Sequence, residues 1–275
     1  MTSTIGPMPE ASKLHQASAR ARRLLLPPAK RRTLPLPPNA ELNLEATTLD
    51  YCRERLEQHI LDSYCGAAIQ KMPEDLRVYE HLLWQSSANV VIELGTNQGG
   101  STLWFRDRLV AMAHYGRIRR PRVIAVDIIA EQTAQCVRAV DPDAAHISFL
   151  QADVCDPLLP ERVAALMRPS DRAFVIEDSA HVYETTMAAL VGFASFVRAD
   201  GYFVVEDTCI DVDALRVDPL WPRGVLPAVH DWLETAPGAD FVSDRALELY
   251  GVTCHPEGFL RRRRPEERRI SPSTT

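Results

Sequence analysis

Two short stretches of the sequence place paired carboxylates directly after apolar runs. FVIEDSAH spans residues 174–181 and FVVEDTCI spans residues 203–210. Each apolar run is typical of a buried strand, and each is followed by Glu-Asp and a hydroxyl residue. Burying carboxylates at the edge of a core costs folding free energy unless a cation or hydrogen bonds compensate their charge. The repetition therefore indicates a functional site.

These carboxylates predict a divalent-cation site. The two strands are expected to be neighbours in a parallel sheet, about 4.8 Å apart, with ligands bound beyond their carboxyl ends. Asp178 would then lie near Glu206 and Asp207, where each carboxylate raises the pKa of the others. A hard cation such as Mg²⁺ removes that repulsion. The alternative is local: Asp178 or Ser179 caps a helix, and Asp207 with Thr208 closes a loop.

His181 is the candidate general base. It follows Asp178 by three residues and would lie in the loop beside the predicted cation. Its ordinary pKa of about 6.5 suits proton transfer, whereas the alternative is an unremarkable surface or core histidine. Glu177 should point to the opposite face of its strand from Asp178, so we expect it to lie outside the site.

A glycine-rich turn in VVIELGTNQGGS (90–101) predicts a second ligand site. A strand ends near Glu93, and a helix begins near Ser101. Glycines let backbone N–H groups approach a ligand, and the helix N-terminus favours negative charge. The spacing is Glu-x-Gly-x-x-x-Gly, not the Gly-x-Gly-x-x-Gly of dinucleotide folds. A carboxylate at Glu93 suits an amine, and S-adenosylmethionine carries both an amine and a carboxylate; the alternative is a purely structural turn.

Two further acids follow at successive strand ends. Asp127 ends a strand in RVIAVDI, where a carboxylate can accept both ribose hydroxyls. Asp153 follows the next strand in FLQADV, where an acid can accept from an adenine amine. Each alone is typical of an ordinary polar strand end. Together with Glu93, in this order, they favour a nucleoside cofactor.

The elements that must position these residues alternate along the chain. The predicted strands are Asn89–Leu94, Arg122–Ile128, His146–Gln151, Ala173–Glu177 and Tyr202–Glu206. The predicted helices are Thr47–Ser63, Asp75–Gln85, Ser101–His114, Glu131–Val140, Pro160–Met167, Tyr183–Arg198 and Leu226–Thr235. This alternation predicts an α/β fold with a mostly parallel sheet and helices on both faces. Leu247–Cys254 and Gly258–Arg262 then predict a closing antiparallel hairpin around His255, Pro256 and Glu257.

Composition limits the classes of function. The chain has 275 residues, 46% of them hydrophobic, and a net charge of −6. We therefore expect one large domain (46–264) between an Arg/Pro-rich flexible arm (1–45) and a flexible tail (265–275), with no nucleic-acid or membrane partner. Without a secretion signal or an apolar run of about 20 residues, a cytoplasmic location is expected. The six cysteines form no Cys-x-x-Cys pair, which indicates reduced thiols rather than disulfides or a zinc site.

The chain resembles the cephalosporin hydroxylase / rhamnosyl O-methyltransferase family of S-adenosylmethionine-dependent enzymes. The motifs that carry the resemblance are YCGAAIQKMPEDLRVYEHLLW (64–84), IELGTNQGGS (92–101), VDI (126–128), DSAH (178–181), VEDT (205–208) and CHPEGFLRR (254–262). The resemblance implies a Rossmann-like class I methyltransferase fold with seven strands. The stretch DPLWPRGVLPAVHDWL (218–233) departs from the Gly-Pro-rich family pattern in a region that shapes the acceptor pocket.

The resemblance also implies roles for individual residues. It implies Mg²⁺ on Asp178, Glu206 and Asp207, and a base at His181. It implies that Lys71, with Gln70 and Tyr79, belongs to a segment closing over S-adenosylmethionine. The implied cofactor contacts in the first turn are Glu93, Gly95, Thr96, Gly99, Gly100 and Ser101.

The expected reaction is O-methylation of a hydroxyl, foremost a rhamnose-like sugar hydroxyl of a glycosylated natural product such as an antibiotic. A catechol-like or β-lactam-type acceptor is the nearest alternative. Alternatives from other classes are a nicotinamide-dependent oxidoreductase and a non-catalytic interaction platform. We also expect a homo-oligomer.

Overall fold

The computed structural model describes residues 45–216, 218–248 and 251–267. Most of the predicted arm (1–44) and most of the predicted tail (268–275) lie outside these residues. The helices are α1 Thr48–Gln58, α2 Pro73–Ser86, α3 Gly100–His114, α4 Ala130–Val140, α5 Leu159–Ala164, α6 Tyr183–Phe193 and α7 Val225–Leu233. The strands are β1 Ser63–Tyr64, β2 Ala67–Ala68, β3 Val90–Leu94, β4 Arg122–Asp127, β5 Ile147–Gln151, β6 Ala173–Glu177, β7 Tyr202–Val205, β8 Phe241–Ser243 and β9 Phe259–Arg262.

Seven strands form one sheet, which confirms the predicted architecture. Their order is β5-β4-β3-β6-β7-β9-β8, and β3 to β7 pair in parallel. The chain moves outward from β3 to β5 and then crosses back to β6 on the other side of β3. Ligands bind at such a reversal of strand order, beyond the carboxyl ends of the strands. The first turn and the two acidic phrases all follow strands at or next to this point.

The sheet is covered on both faces because adjacent strand residues alternate between two cores. Ile92 and Val175 pack with α5, α6 and α7 residues in one core, which includes Trp232. Val91 and Phe174 pack with α2 and α3 residues in the other core. Alternation with a period of two residues places apolar side chains on both sides, as parallel strands covered by helices require. In the described part of the chain, no helix is long and apolar enough to cross a membrane.

The closing strands differ from the prediction. Strand β9 pairs antiparallel with β7 and with β8, so its hairpin partner is Phe241–Ser243 and not Leu247–Cys254. The described residues of 247–254 contain no strand. The reason is that Asp75 of α2 binds this segment: its carboxylate accepts the Thr253 hydroxyl at 2.5 Å and the Cys254 N–H at 2.9 Å. The Thr253 hydroxyl and the Cys254 N–H therefore donate to a side chain of helix α2 instead of pairing with a neighbouring strand.

Replacing Asp75 should destabilise the fold. Asp75→Ala leaves two buried donors without their acceptor, and each such loss costs about 1–3 kcal/mol. Glu131→Ala is the matched control, because Glu131 also lies in the first turn of a helix but is exposed; its loss should cost less than about 1 kcal/mol. Urea unfolding measures both free energies, and equal values would contradict this account of the segment.

Candidate active site

The glycine-rich turn and the loop after β6 pack backbone against backbone. The Asp178 N–H donates to the carbonyl of Leu94 at 2.7 Å. Gly95 has a φ of +96°, and a Cβ at this position would lie 1.9 Å from the Asp178 carbonyl oxygen. Only glycine permits both this conformation and this approach. The first turn and the acidic loop therefore adjoin each other.

A buried lysine joins the two acidic phrases. Lys71 Nζ lies 2.8 Å from Asp178 Oδ2 and 2.6 Å from Glu206 Oε2, and its side chain is 1% exposed. The Tyr79 hydroxyl donates to the other Glu206 oxygen at 2.6 Å. Burial would lower the Lys71 pKa, but Asp178, Glu206 and Glu93 raise it well above its ordinary value. The ammonium is therefore a permanent charge between the acids.

Burial raises the pKa of Glu206 well above its ordinary value. The Lys71 ammonium opposes this rise, whereas Asp178 and Asp207 add to it. Asp178 and Asp207 thus lie close enough to raise the pKa of Glu206, as expected from the sequence. The pKa of Asp207 itself is lowered, against that expectation, because its burial is outweighed by His181 and His255. Both Glu206 oxygens accept hydrogen bonds, from Lys71 and from Tyr79.

His181 lies between Asp178 and Asp207. Its Nε2 is 3.6 Å from Asp178 Oδ1 and 3.4 Å from Asp207 Oδ2. One side-chain atom from each of these three residues lies within 4.8 Å of the others, so the candidate base adjoins two of the predicted metal ligands. The Nδ1 atom of His181 is buried and has no hydrogen-bond partner among the described residues. The imidazole therefore presents Nε2 to the acids.

The His181 backbone is held from outside the loop. His181 has a φ of +54°, which is unusual for a residue with a side chain. The Trp221 indole N–H donates to the His181 carbonyl at 3.1 Å, and the two rings lie 6.0 Å apart. Trp221 belongs to the stretch 218–233 that departs from the family pattern. This stretch therefore contacts the candidate base directly.

His255 is a site residue to which the sequence analysis gave no role. Its Nδ1 accepts the Asp207 N–H at 3.0 Å, and its ring stacks on Tyr79. Burial lowers the pKa of His255, even though Asp75 and Asp207 oppose the shift. Nδ1 is an acceptor, so His255 fixes Asp207 at its left-handed φ of +56°. The only sequence signal was its place in CHPEGFLRR.

The first turn is built around Asp127. One oxygen of its carboxylate accepts the N–H groups of Thr96 at 2.7 Å and Asn97 at 2.9 Å, and the other accepts from Ile129 at 3.0 Å. Asp127, which the sequence predicts to bind the ribose of the cofactor, therefore also holds the backbone of the turn in place. Gly100 packs closely too, because a Cβ there would lie 2.3 Å from the Ala68 carbonyl oxygen.

The remaining candidate residues have different surroundings. Ser101 is buried, and Gly99 precedes α3 with a φ of +80°. Asp153 is exposed and accepts the Cys155 N–H at 2.9 Å. Glu177 accepts hydrogen bonds from Ser179 and Thr186, so it stabilises the loop instead of joining the three acids.

Glu93 is fully buried below the turn. The Thr102 hydroxyl donates to one of its oxygens at 2.5 Å. Burial raises its pKa to about 7, although Lys71 and hydroxyl groups oppose the shift. Glu93 is thus a carboxyl that titrates near neutral pH inside the protein.

Residues 58–263 match the sequence model of the Rhamnosyl O-methyltransferase/CmcI family. The chain belongs to this family. A rhamnosyl O-methyltransferase of Mycobacterium leprae (strain TN) is 28% identical over 203 residues, which cover 73% of this chain and 83% of the relative. One of Mycobacterium bovis (strain BCG / Pasteur 1173P2) is 27% identical over 204 residues, covering 72% and 77%.

Solved structures of CmcI have the same fold. The structure described as "CmcI-N160 apo-structure" superposes with a TM-score of 0.59 and 20% identity, covering 90% of this chain and 95% of that one. The structure described as "cmcI-D160 Mg-SAM" gives a TM-score of 0.55 and 21% identity, covering 89% and 94%. Membership of the Rhamnosyl O-methyltransferase/CmcI family argues against the nicotinamide alternative.

Removing the Lys71 ammonium should be strongly destabilising. Lys71→Met leaves buried carboxylates uncompensated, and breaking such a pair costs about 3–5 kcal/mol. Arg77→Met is the control, because the Arg77–Glu80 ion pair is exposed and should contribute less than about 1 kcal/mol. Unfolding free energies at neutral pH without added metal test this. A Lys71→Met variant as stable as the parent would show that the acids need no cation.

Glu93 should make stability depend on pH. Its folded pKa of about 7 lies above the ordinary value of 4.5, so the protonated carboxyl stabilises the fold below pH 4.5 and this contribution is lost as pH rises through 7. Glu93→Gln removes the titration. The stability of the variant minus that of the parent should increase by about 3 kcal/mol at most across this window and then level off. A difference that stays flat with pH would contradict the shifted pKa.

Proposed function

We propose that this chain transfers a methyl group from S-adenosylmethionine to a sugar hydroxyl, with Mg²⁺ bound in the acid crevice. The observation that carries the proposal is the convergence of Asp178, Asp207 and the His181 imidazole beside the glycine-rich turn. The rhamnosyl O-methyltransferase relatives and the CmcI structure described with Mg and SAM support it. We assign this activity to residues 46–264.

The residues of the crevice fit a hard divalent cation. Asp178 and Asp207 would supply oxygen ligands, which Mg²⁺ prefers. Glu206 is the third expected ligand, and its oxygens accept hydrogen bonds from Lys71 and Tyr79 in this structure. Lys71 contacts one oxygen of Asp178 and one of Glu206, whereas Asp178 Oδ1 and Asp207 Oδ2 face His181 instead. When both groups are bound, Mg²⁺ would stabilise negative charge on the acceptor oxygen and S-adenosylmethionine would supply the methyl group.

His181 would accept the proton of the acceptor hydroxyl at Nε2. This atom faces the crevice, and the carboxylates of Asp178 and Asp207 at 3.6 and 3.4 Å would stabilise the imidazolium. The Trp221 hydrogen bond to the His181 carbonyl keeps the base in place. Asp178 would thus help to bind the cation and also stabilise the protonated form of His181.

The first turn would bind the cofactor. Its backbone N–H groups and the start of α3 suit the carboxylate of S-adenosylmethionine. The expected contacts remain those named from the sequence, from Glu93 through Ser101 with Asp127, Asp153 and Lys71. Lys71 contacts two of the proposed metal ligands, so we infer that it couples the cofactor segment to the crevice.

The rhamnosyl relatives favour a rhamnose-like hydroxyl of a glycosylated natural product. The segment around Trp221 is our candidate for an acceptor wall, because it contacts the base. A homo-oligomeric state and a cytoplasmic location stay predictions.

Turnover measurements test the proposed chemistry. Methyl transfer from labelled S-adenosylmethionine to a rhamnoside should stop in EDTA and return with Mg²⁺. His181→Gln should lower kcat by about 100- to 10,000-fold while calorimetry gives unchanged S-adenosylmethionine affinity. The matched control is His114→Gln, at the exposed end of α3.

Each component has its own contradicting result. Full activity in EDTA would exclude the metal, and a parental rate for His181→Gln would exclude the base. Methylation of catechols or β-lactam precursors, with no methylation of rhamnosides, would reassign the acceptor.

A further inference from the structure

Three cysteines from distant parts of the sequence meet in one buried cluster. Cys52 lies on α1, Cys209 follows β7, and Cys254 precedes β9. All three thiols are free and buried. Cys65 and Cys155, in contrast, are free and exposed. The proposed methyl transfer uses none of these thiols.

Two of the thiols converge on a residue of the acid crevice. A carboxylate oxygen of Asp207 and the Sγ atoms of Cys209 and Cys254 all lie within 4.8 Å of one another. These three atoms form a set of ligands that differs from the set of Asp178, His181 and Asp207. Asp207 belongs to both sets, and its side chain is 27% exposed. The carboxylate therefore connects the crevice to the buried thiols.

The backbone holds these ligands in place before any ion binds. The Cys209 N–H donates to the Cys254 carbonyl at 3.1 Å. The Asp207 N–H donates to His255 Nδ1 at 3.0 Å. The loop after β7 and the segment before β9 are thus joined at two points. A ligand set on a fixed frame loses little conformational entropy on binding a metal.

Sulfur ligands select a different metal from carboxylates. Thiolates bind Zn²⁺ and Cd²⁺, whereas Mg²⁺ prefers oxygen. Tetrahedral zinc with Zn–S bonds of about 2.3 Å places its ligand atoms about 3.8 Å apart. The three atoms here lie within 4.8 Å of one another, which is compatible with that geometry. Each thiol would release its proton to solvent on binding.

We propose that Asp207, Cys209 and Cys254 form a second metal site, for a thiophilic divalent ion such as Zn²⁺. Because Asp207 is shared, an ion at this site withdraws a ligand from the crevice and antagonises Mg²⁺. That inhibitory effect rests on the proposed function, whereas binding of the ion does not. The absence of Cys-x-x-Cys argued against zinc in the sequence, but the fold brings these cysteines together from separate segments.

Cadmium titration tests the binding directly. The reduced full chain, freed of metal with EDTA, is titrated with Cd²⁺ without cofactor or acceptor while the ultraviolet thiolate-to-metal charge-transfer band is recorded. One equivalent should produce the band. Cys209→Ser and Cys254→Ser should each abolish it, and Cys155→Ser, which changes an exposed cysteine elsewhere, should retain it.

Two further variants distinguish the thiol site from the acid crevice. They also show whether a loss of Cd²⁺ binding results from misfolding. Asp207→Asn should weaken Cd²⁺ binding at least tenfold with all thiols intact, and His181→Gln should leave it unchanged. No band in the parent, a band that survives Cys209→Ser, or binding lost with His181→Gln would each overturn the proposal. These results do not depend on methyl transfer, so they are separate from failure of the proposed function.

Inhibition tests the antagonism. With Mg²⁺ fixed, Zn²⁺ should inhibit the parent and the Cys155→Ser variant at the same concentration. For Cys254→Ser, the inhibition constant should rise at least tenfold. An unchanged inhibition constant in Cys254→Ser would place the inhibitory ion outside the thiol site.

Discussion

The contact of the Lys71 ammonium with Asp178 and Glu206 is the interaction on which the rest of the structure depends. Strands β6 and β7 deliver carboxylates to one buried crevice, and unpaired charges there would cost several kcal/mol each. Lys71 supplies a compensating charge from the segment between β2 and α2. That segment is positioned by β2, which packs against Gly100 of the first turn. The glycine-rich turn and the acid crevice are therefore parts of one assembly.

The catalytic loops adopt backbone conformations that need outside support. His181 and Asp207 both have left-handed φ values, and such residues persist only where neighbouring structure holds them. Trp221 supports the first and His255 the second. These contacts explain why Trp221 and His255, which take no part in the proposed proton transfer, lie next to the crevice. It also places the acceptor-side segment in contact with the base.

Local patterns were sufficient to predict the sheet and the acids. Strand β6 has the predicted bounds because a continuous apolar run ends at a charged pair, and the parallel-sheet rule then brings Asp178 near Glu206. The partners of those acids depend on tertiary contacts, so the Lys71 ion pairs and the His255 hydrogen bond were not predicted from the sequence. The predicted partner of the closing hairpin was wrong for the same reason. Asp75 accepts hydrogen bonds from the segment that was predicted to be a strand. The thiol cluster was hidden because its cysteines are far apart in sequence.

Anomalous diffraction from crystals containing Mn²⁺, which takes the same oxygen ligands as Mg²⁺, tests the central claim most directly. We expect one strong peak in the acid crevice, within coordinating distance of carboxylate oxygens of Asp178 and Asp207. A crevice without a peak, and with Lys71 alone between the acids, would mean that the ammonium is the only cation there. That result would contradict the account.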